Sequence, residues 1–277
     1  LNLLLTPLEP FDTFLKEYRP EIVFLTDIQH AYDVRLGVAA AKRGIPVIGM
    51  VRSWDNLTSK GLVRFIPDRL VVHNEIIKRE AIELHGIPAA QVKVIGIPHY
   101  DTYVRHAPKS REEFLKAVGA DPAKKIVLFI PTGDRYIRHN DVDQTILDIL
   151  DANLDPSVQI LVRFPPSDTV RGLDGLSNRG RIFFDRPRSA FEVIKKTELG
   201  KDADIHLIDT LASCDAVVTG PSTICIDAAF FNKPIILVGF DGYETRSYFK
   251  SLRRYFDYDH WQQVLQSGGV QLARSAD

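Results

Sequence analysis

Apolar and polar positions follow one recurring order along this chain: a short apolar run, a turn, a stretch with helical spacing, and another apolar run. Residues 21–25, 31–43 and 45–51 form the first such unit, with Gly44 closing the helix. Residues 68–72, 75–84 and 92–98 form the next, opened by Asn74 as a helix cap and stopped by Gly86. A polar stretch, 105–125, then separates two halves. The second half predicts strands at 125–130, 159–164 and 182–184, with a helix over 141–150 and Pro165 and Pro166 halting the second strand. Residues 205–211 lead into a short helix before Cys214. The run 215–239 is the clearest unit: Ala216, Val217 and Val218 as strand, Gly220 and Pro221 as turn, Ser222 or Thr223 as cap, Asn232, Lys233 and Pro234 as helix stop, and an apolar run from Ile235 to Val238. Residues 243–260 have helical spacing at Tyr248, Leu252 and Tyr255 or Phe256, and 271–277 read as a strand-like exit. Residues 1–20 read as a loop and a helix with no strand ahead, so both ends read as trimmed.

Strands joined by helical crossovers run parallel. The pattern therefore predicts an α/β protein with two βα domains, divided near Ala107 into residues 1–107 and 108–277. Ligands of open parallel sheets bind beyond the carboxyl ends of the strands, which brings forward residues 26–30, 52–61, 132–135 and 220–223.

With 277 residues, 45% hydrophobic and 26% charged, the chain can bury one large core or two ordinary ones. Its 35 basic and 36 acidic residues leave a net charge of -1, so no global field favours nucleic acid, and an anionic ligand must be held locally. Cys214 and Cys225 are the only cysteines, and Cys225 falls in the apolar helix, the usual place of a reduced thiol; a reducing compartment follows. No apolar run approaches the roughly 20 residues of a transmembrane helix, so the chain reads as cytoplasmic. In 244–258, Arg246, Lys250, Arg253 and Arg254 interleave with Tyr248, Phe249, Tyr255 and Phe256. That pattern suits either an amphipathic helix on the inner face of a membrane or one packed back on the protein.

The eight histidines are scattered and the cysteines lack a metal-binding spacing, so no metal centre is expected. Asp257 and Asp259 have a spacing used by metal-dependent glycosyltransferases, but beside an amphipathic segment they read as a solvated helix end. The motifs of serine hydrolases, P-loop NTPases and dinucleotide-dependent dehydrogenases are all missing. What remains is the turn 220–223, where unpaired backbone N–H groups and the helix dipole suit a phosphate. A purely structural cap fits Ser222 as well. Asp227, one turn further on, is placed to accept hydrogen bonds from ribose or sugar hydroxyls.

The run DAVVTGPSTICIDAAFFNKPIILVGFDG, 215–242, resembles the donor-binding region of GT-B glycosyltransferases and of their relatives, the CDP-glycerol glycerophosphotransferases and UDP-N-acetylglucosamine 2-epimerases. The run RLVVHNEIIKREAIELHGIPAAQVKVIGIPHYD, 69–101, resembles the last unit of the N-terminal domain in that superfamily, with Gly96, Pro98 and Asp101 at the crossing and His99 as a hinge or ligand residue. The resemblance implies two Rossmann-like domains with parallel sheets facing across a cleft. It implies a nucleotide-sugar donor on the C-terminal domain, its diphosphate at Gly220, Pro221, Ser222 and Thr223 and near Thr132, Gly133 and Arg135. Arg135 and Arg163 suit charge neutralisation or ordinary salt bridges, and Asp209 and Thr210 suit base or ribose contact or a helix cap.

Many retaining GT-B enzymes carry two glutamates across this turn and helix, where this chain has Thr219 and Asp227. An inverting displacement is therefore expected, with a base from the N-terminal domain: Asp55 first, then Asp27 and His30, with Trp54, Asn56 and Lys60 on the acceptor side. The implied function is a metal-independent glycosyltransferase that needs no cofactor beyond its donor and acts on a hydroxyl of a surface polysaccharide or glycolipid. A carbohydrate or lipid-linked acceptor is then the partner. A glycerophosphotransferase, a sugar-nucleotide epimerase and a non-catalytic binding module are the alternatives. The first would carry a His-Pro pair where this chain has Phe164 and Pro165.

Overall fold

The computed structural model describes residues 8–135, 137, 141–165, 168–186 and 201–276; the start of the 1–20 segment and Pro166, noted above, lie outside them. The chain divides into two compact units, Leu1–Asp101 and Thr102–Asp277. Each is built on one all-parallel sheet, so the expected α/β class is the observed one.

In the first unit, α1 (Phe11–Tyr18) precedes β1 (Val23–Leu25), α2 (Ala31–Lys42), β2 (Val47–Met50), α3 (Asn56–Ser59), β3 (Arg69–Val72), α4 (Glu75–Glu83) and β4 (Val92–Val94). The strands lie in the order β1-β2-β3-β4. Asn74 caps α4 as its position predicts, its Oδ1 accepting from the Ile77 N–H at 2.9 Å. Strand residues alternate between two environments. Val23, Leu25 and Val47 pack on Ala39 and Ala40 of α2, and Leu70, Val72 and Val92 pack on Ile77 and Ala81 of α4. The other face is barely covered: Phe24 is 52% exposed, and Ile48, Met50 and Val71 are half-buried.

The second unit holds α5 (Asp101–Arg105), α6 (Arg111–Ala117), β5 (Ile126–Ile130), α7 (Val142–Asn153), β6 (Gln159–Arg163), β7 (Ile182–Asp185), α8 (Lys201–Ser213), β8 (Ala216–Thr219), α9 (Ile224–Phe230), β9 (Ile235–Val238), α10 (Asp259–Gln266) and β10 (Gln271–Ala273). Its sheet has the order β10-β9-β8-β5-β6-β7. The chain starts at β5, builds outward through β6 and β7, then returns to the other side of β5 for β8, β9 and β10. Connections therefore leave the sheet in opposite directions from β5 and β8, which makes their carboxyl ends the topological switch point where such sheets bind ligands. All five β6 residues are buried, as in a parallel strand covered on both faces. Phe129, Val162, Val218 and Val238 form the centre of this core with Ile146 and Leu147 of α7.

Two expectations are corrected. Residues 205–211 do not merely lead into a helix; they lie inside the 13-residue α8, whose Ile208, Thr210 and Leu211 are buried. Residues 243–260 do not form one amphipathic helix. They fold as two 3-10 segments, Tyr248–Lys250 and Leu252–Asp257, ahead of α10. Leu252 and Phe256 turn inward, Arg246 pairs with Asp141 and Arg254 lies over the Tyr255 ring, whereas Tyr243 and Phe249 are exposed. Among the described residues, no helix is long and apolar enough to cross a membrane.

Asp215 fastens the amino ends of β5 and β8. Its Oδ2 accepts from the Ile126 N–H at 2.9 Å and from Arg111 Nη2 at 2.8 Å, and its Oδ1 accepts from Lys125 Nζ at 2.9 Å. Truncating this carboxylate strands a backbone donor and two cations. Asp215→Ala is expected to lower unfolding free energy by about 2 kcal/mol, read as a lower urea midpoint at unchanged slope. Asp215→Asn, which can still accept from Ile126, should recover part of the loss.

Candidate functional site

The clearest unit of the sequence folds as read, strand, turn, helix and strand, with its turn at the switch point. The Thr219 hydroxyl donates to the Ile130 carbonyl at 3.1 Å, binding the end of β8 to the end of β5. Gly220 then passes so close to the next loop that a Cβ there would lie 2.2 Å from Thr132 Oγ1. Beyond it, the Ser222 N–H donates to the Gly220 carbonyl at 2.8 Å, and Ser222 Oγ meets the Ile224 N–H at only 3.5 Å. Thr223 occupies the cap position without a side-chain capping bond. Gly220 and Pro221 are buried, Ser222 is half-buried and Thr223 is exposed, so the helix N-terminus opens toward solvent.

The loop after β5 is tied down from within. All four of its backbone N–H groups bond within the protein: Thr132 and Gly133 to the two oxygens of Asp143 at 2.8 and 3.0 Å, Asp134 to the Thr169 carbonyl at 2.8 Å, and Arg135 to Asp168 Oδ2 at 3.1 Å. Gly133 has φ +89°, and Asp168 fills the space a Cβ would need. Toward an anion this loop therefore offers the side chains of Thr132 and Arg135, not its amides.

Arg163 makes the salt bridge that was one of its two expected roles. It is buried and paired with Asp185 at 2.8 Å, and it donates to Thr210 Oγ1 at 3.3 Å. His206 Nε2 lies 2.9 Å from both Asp185 oxygens. Burial pushes the Asp185 carboxyl up, but bonding by His206 and the Arg163 charge outweigh it and hold the group below the usual carboxylate range. Asp209 and Thr210 face inward as well. Asp209 accepts from the Lys109 N–H at 2.9 Å and anchors the segment before α6, while the Thr210 hydroxyl donates to the His206 carbonyl at 2.6 Å. Arg163 and Thr210 thus find partners inside the protein, as a desolvated charge requires, whereas Asp209 Oδ2 is buried with no hydrogen bond among the described residues and has Lys109 Nζ only at 3.8 Å. Asp227 is half-buried on α9, where Oδ1 accepts from the Tyr103 hydroxyl at 2.8 Å. Burial pushes the Cys214 and Cys225 thiols up to about 11 and about 12, which removes them as nucleophiles at neutral pH.

In the first unit, Asp27, His30 and the segment from Trp54 to Lys60 gather at the carboxyl edge of its own sheet. Asp27 Oδ1 accepts from the Gln29 N–H at 3.0 Å and from Asn56 Nδ2 at 3.5 Å, and Arg52 stands 3.9 Å from its other oxygen. Asp55 pairs with Lys60 at 3.4 Å, and Lys60 also donates to Asn56 Oδ1 at 3.0 Å. Burial raises the Asp55 pKa, yet hydrogen bonding by Ser53 and the Lys60 charge prevail, leaving an ionised and weakened base. Trp54 packs on the apolar cluster of β3 and α4. Two partners escaped the sequence reading. Asp33 places Oδ2 3.2 Å from His30 Nδ1 and accepts from the Asp27 N–H with Oδ1 at 3.4 Å, so it ties two candidates together. His73, directly after β3, is buried, and that burial lowers its proton affinity. The His-x-x-Asp spacing at the start of α2 was the available signal for the first; nothing local marks the second.

The family model for CDP-glycerol:poly(glycerophosphate) glycerophosphotransferase matches residues 56–263, which include the switch-point turn, the β5 loop and the Asn56–Lys60 segment. The chain belongs to this family. No curated protein sequence matches it. Among solved structures, Staphylococcus aureus MnaA with UDP aligns over 96% of this chain and 67% of its own, at 14% identity and a TM-score of 0.62. The UDP-GlcNAc 2-epimerase of Methanocaldococcus jannaschii with UDP-GlcNAc and UDP aligns over 96% and 68%, at 16% identity and 0.59. That of Neisseria meningitidis bound to UDP-GlcNAc aligns over 96% and 68%, at 13% identity and 0.60. At these identities the likeness establishes the Rossmann-like, GT-B-type fold alone, in a family of transferases.

The buried Arg163 in this glycerophosphotransferase-family chain yields a stability prediction. Asp185→Asn leaves a guanidinium without its counter-charge and is expected to cost about 3–5 kcal/mol. Because the folded pKa of Asp185 is lowered, its contribution is full above the unfolded carboxylate value and fades as pH falls below about 4. Thermal unfolding against pH should therefore show a steeper acid loss in the natural protein than in Asp185→Asn.

Proposed function

We propose that the chain is a transferase whose donor is a nucleotide-diphosphate-linked polyol, with its phosphates at Gly220, Pro221, Ser222 and Thr223, and that it passes a polyol phosphate to an acceptor hydroxyl. The family match over residues 56–263 carries the choice of transferred group. In this reading the acceptor oxygen bonds to the distal phosphorus, the bond from that phosphorus to the bridging oxygen breaks, and a nucleoside monophosphate departs. The acceptor proton passes to a base of the first unit. Asp55 is our first assignment, being ionised and half-buried beside Lys60; the His30–Asp33 pair is the second, because Asp33 fixes the ring as an orienting carboxylate does. Asp27, Asn56, Lys60 and Trp54 line the acceptor side. Thr132, Arg135 and Asp227 complete the donor side, and neither metal nor cofactor is required.

A second reading, sugar transfer from a nucleotide sugar to a surface polysaccharide or glycolipid, is favoured by Phe164 and Pro165 standing where a His-Pro pair was expected, and by the neighbours in complex with UDP or UDP-GlcNAc. The acceptor oxygen would then bond to a sugar carbon and a nucleoside diphosphate would depart. Product analysis separates the two: a monophosphate supports the first reading and a diphosphate the second.

Nucleotide binding is expected to persist in chelator and to fall at least tenfold in Thr223→Glu, which sets like charge at the helix N-terminus, roughly 1.4 kcal/mol or more. Calorimetry on the folded variant decides this, and unchanged affinity would withdraw the donor-site assignment. For the base, Asp55→Asn is expected to lower the transfer rate on the order of 100- to 10,000-fold with donor affinity retained. If Asp55→Asn stays active while His30→Ala loses transfer, the base is the imidazole.

A further inference from the structure

Tyr103 is 4% exposed, its ring set against Phe230 and Phe231 with centroids 5.4 and 5.6 Å away, and its hydroxyl donates to Asp227 Oδ1 at 2.8 Å. The two residues are 124 positions apart, so the bond joins α5, where the second unit begins, to α9, the helix that follows the proposed phosphate turn. A phenylalanine would fill the same space. Burying a phenol there requires a partner for its O–H, and the partner chosen is a carboxylate.

That choice has three consequences for Asp227. The donated O–H takes one acceptor position on Oδ1. The bond also fixes the plane of a group that would otherwise rotate about its terminal torsion, a broad and weakly restrained one. Finally, a carboxylate accepts about four hydrogen bonds in all, so the Tyr103 bond does not by itself exclude hydroxyls of a ligand. The aromatic packing makes the anchor rigid. Phe230 and Phe231 sit at the end of the same helix as Asp227, so the tyrosine and the carboxylate are held in one frame.

We propose that Tyr103 is a positioning residue for the donor: it presets the Asp227 carboxylate that receives the ribose hydroxyls, and thereby makes the site selective for ribonucleotides. The proposal rests on the assignment of Asp227 to the donor side. It adds a residue outside the phosphate turn, and it makes ribose hydroxyls, rather than base or phosphate, the feature Tyr103 controls.

The experiment measures binding of CDP and UDP and of their 2′,3′-dideoxy counterparts to the natural protein and to Tyr103→Phe by calorimetry, with thermal unfolding to confirm that the variant is folded. The natural protein should prefer the ribonucleotide. In Tyr103→Phe its affinity should fall by about tenfold while that of the dideoxy nucleotide stays unchanged, so that the preference collapses. A purely structural tyrosine would weaken both nucleotides alike. Preserved discrimination in Tyr103→Phe, or equal losses for both nucleotides, overturns the proposal and leaves the donor site standing. A natural protein that binds both nucleotides equally, or neither, overturns it together with the ribose assignment.

Discussion

The second unit depends on a side chain that is not there. At the switch point the β8 turn runs against the β5 loop, and Gly220 has no Cβ because Thr132 Oγ1 would be 2.2 Å from it. The contact exists because the sheet order brings β5 and β8 together and sends their connections apart. The Thr219 hydroxyl closes the strands from one side, and Asp143 holds Thr132 from the other. Any bulk at Gly220 would push these loops apart and carry the start of α9 with them. The helix N-terminus is thus placed by packing rather than by a capping side chain, since Thr223 makes no capping bond and that of Ser222 is long.

Charges are met in two different ways. In the second unit, Arg163 and Asp185 are both buried, with His206 and Thr210 gathered round them; such a group is held by desolvation as much as by attraction, and loss of one member costs several kcal/mol. In the first unit, Asp27, Asp55, Arg52 and Lys60 remain half-buried or exposed at the carboxyl edge, where pairs are worth about 1 kcal/mol or less and exchange partners easily. Buried charges such as Arg163 hold a domain together, even at the end of a strand where a ligand cation would be sought, whereas those nearer solvent keep partners they can exchange.

This distinction marks the limit of what was legible beforehand. Alternation and helical spacing located the strands, and residues 215–239 gave strand, turn, helix and strand in the right places, because local chemistry and tertiary demand agree there. Residues 205–211 misled, since an apolar run buried on a helix reads like a strand approach until its length is known. The basic aromatic segment 243–260 also misled: its spacing is helical, but the Arg246–Asp141 pair and the stacking of Arg254 on Tyr255 fold it into short turns. Candidate residues could be placed at strand ends by pattern alone. Whether each faces a ligand or another residue depended on partners far away in sequence, as with Arg163 and Asp185 or Asp227 and Tyr103, and no local signal carries that information.

Asp143 gives the β5 loop its own anion. Two amides that could have waited for a phosphate already hold a carboxylate from the first turn of α7, and Gly133 completes the bend around it. The amides of Thr132 to Arg135 are therefore ordered by the protein's own bonds. On the β5 side the amides of Thr132 and Gly133 are already taken, while on the β8 side Thr223 stands at the helix start without a side-chain capping bond. The molecule thus carries its own internal counter-ion at the carboxyl end of β5, set in place by the fold and not by anything from outside.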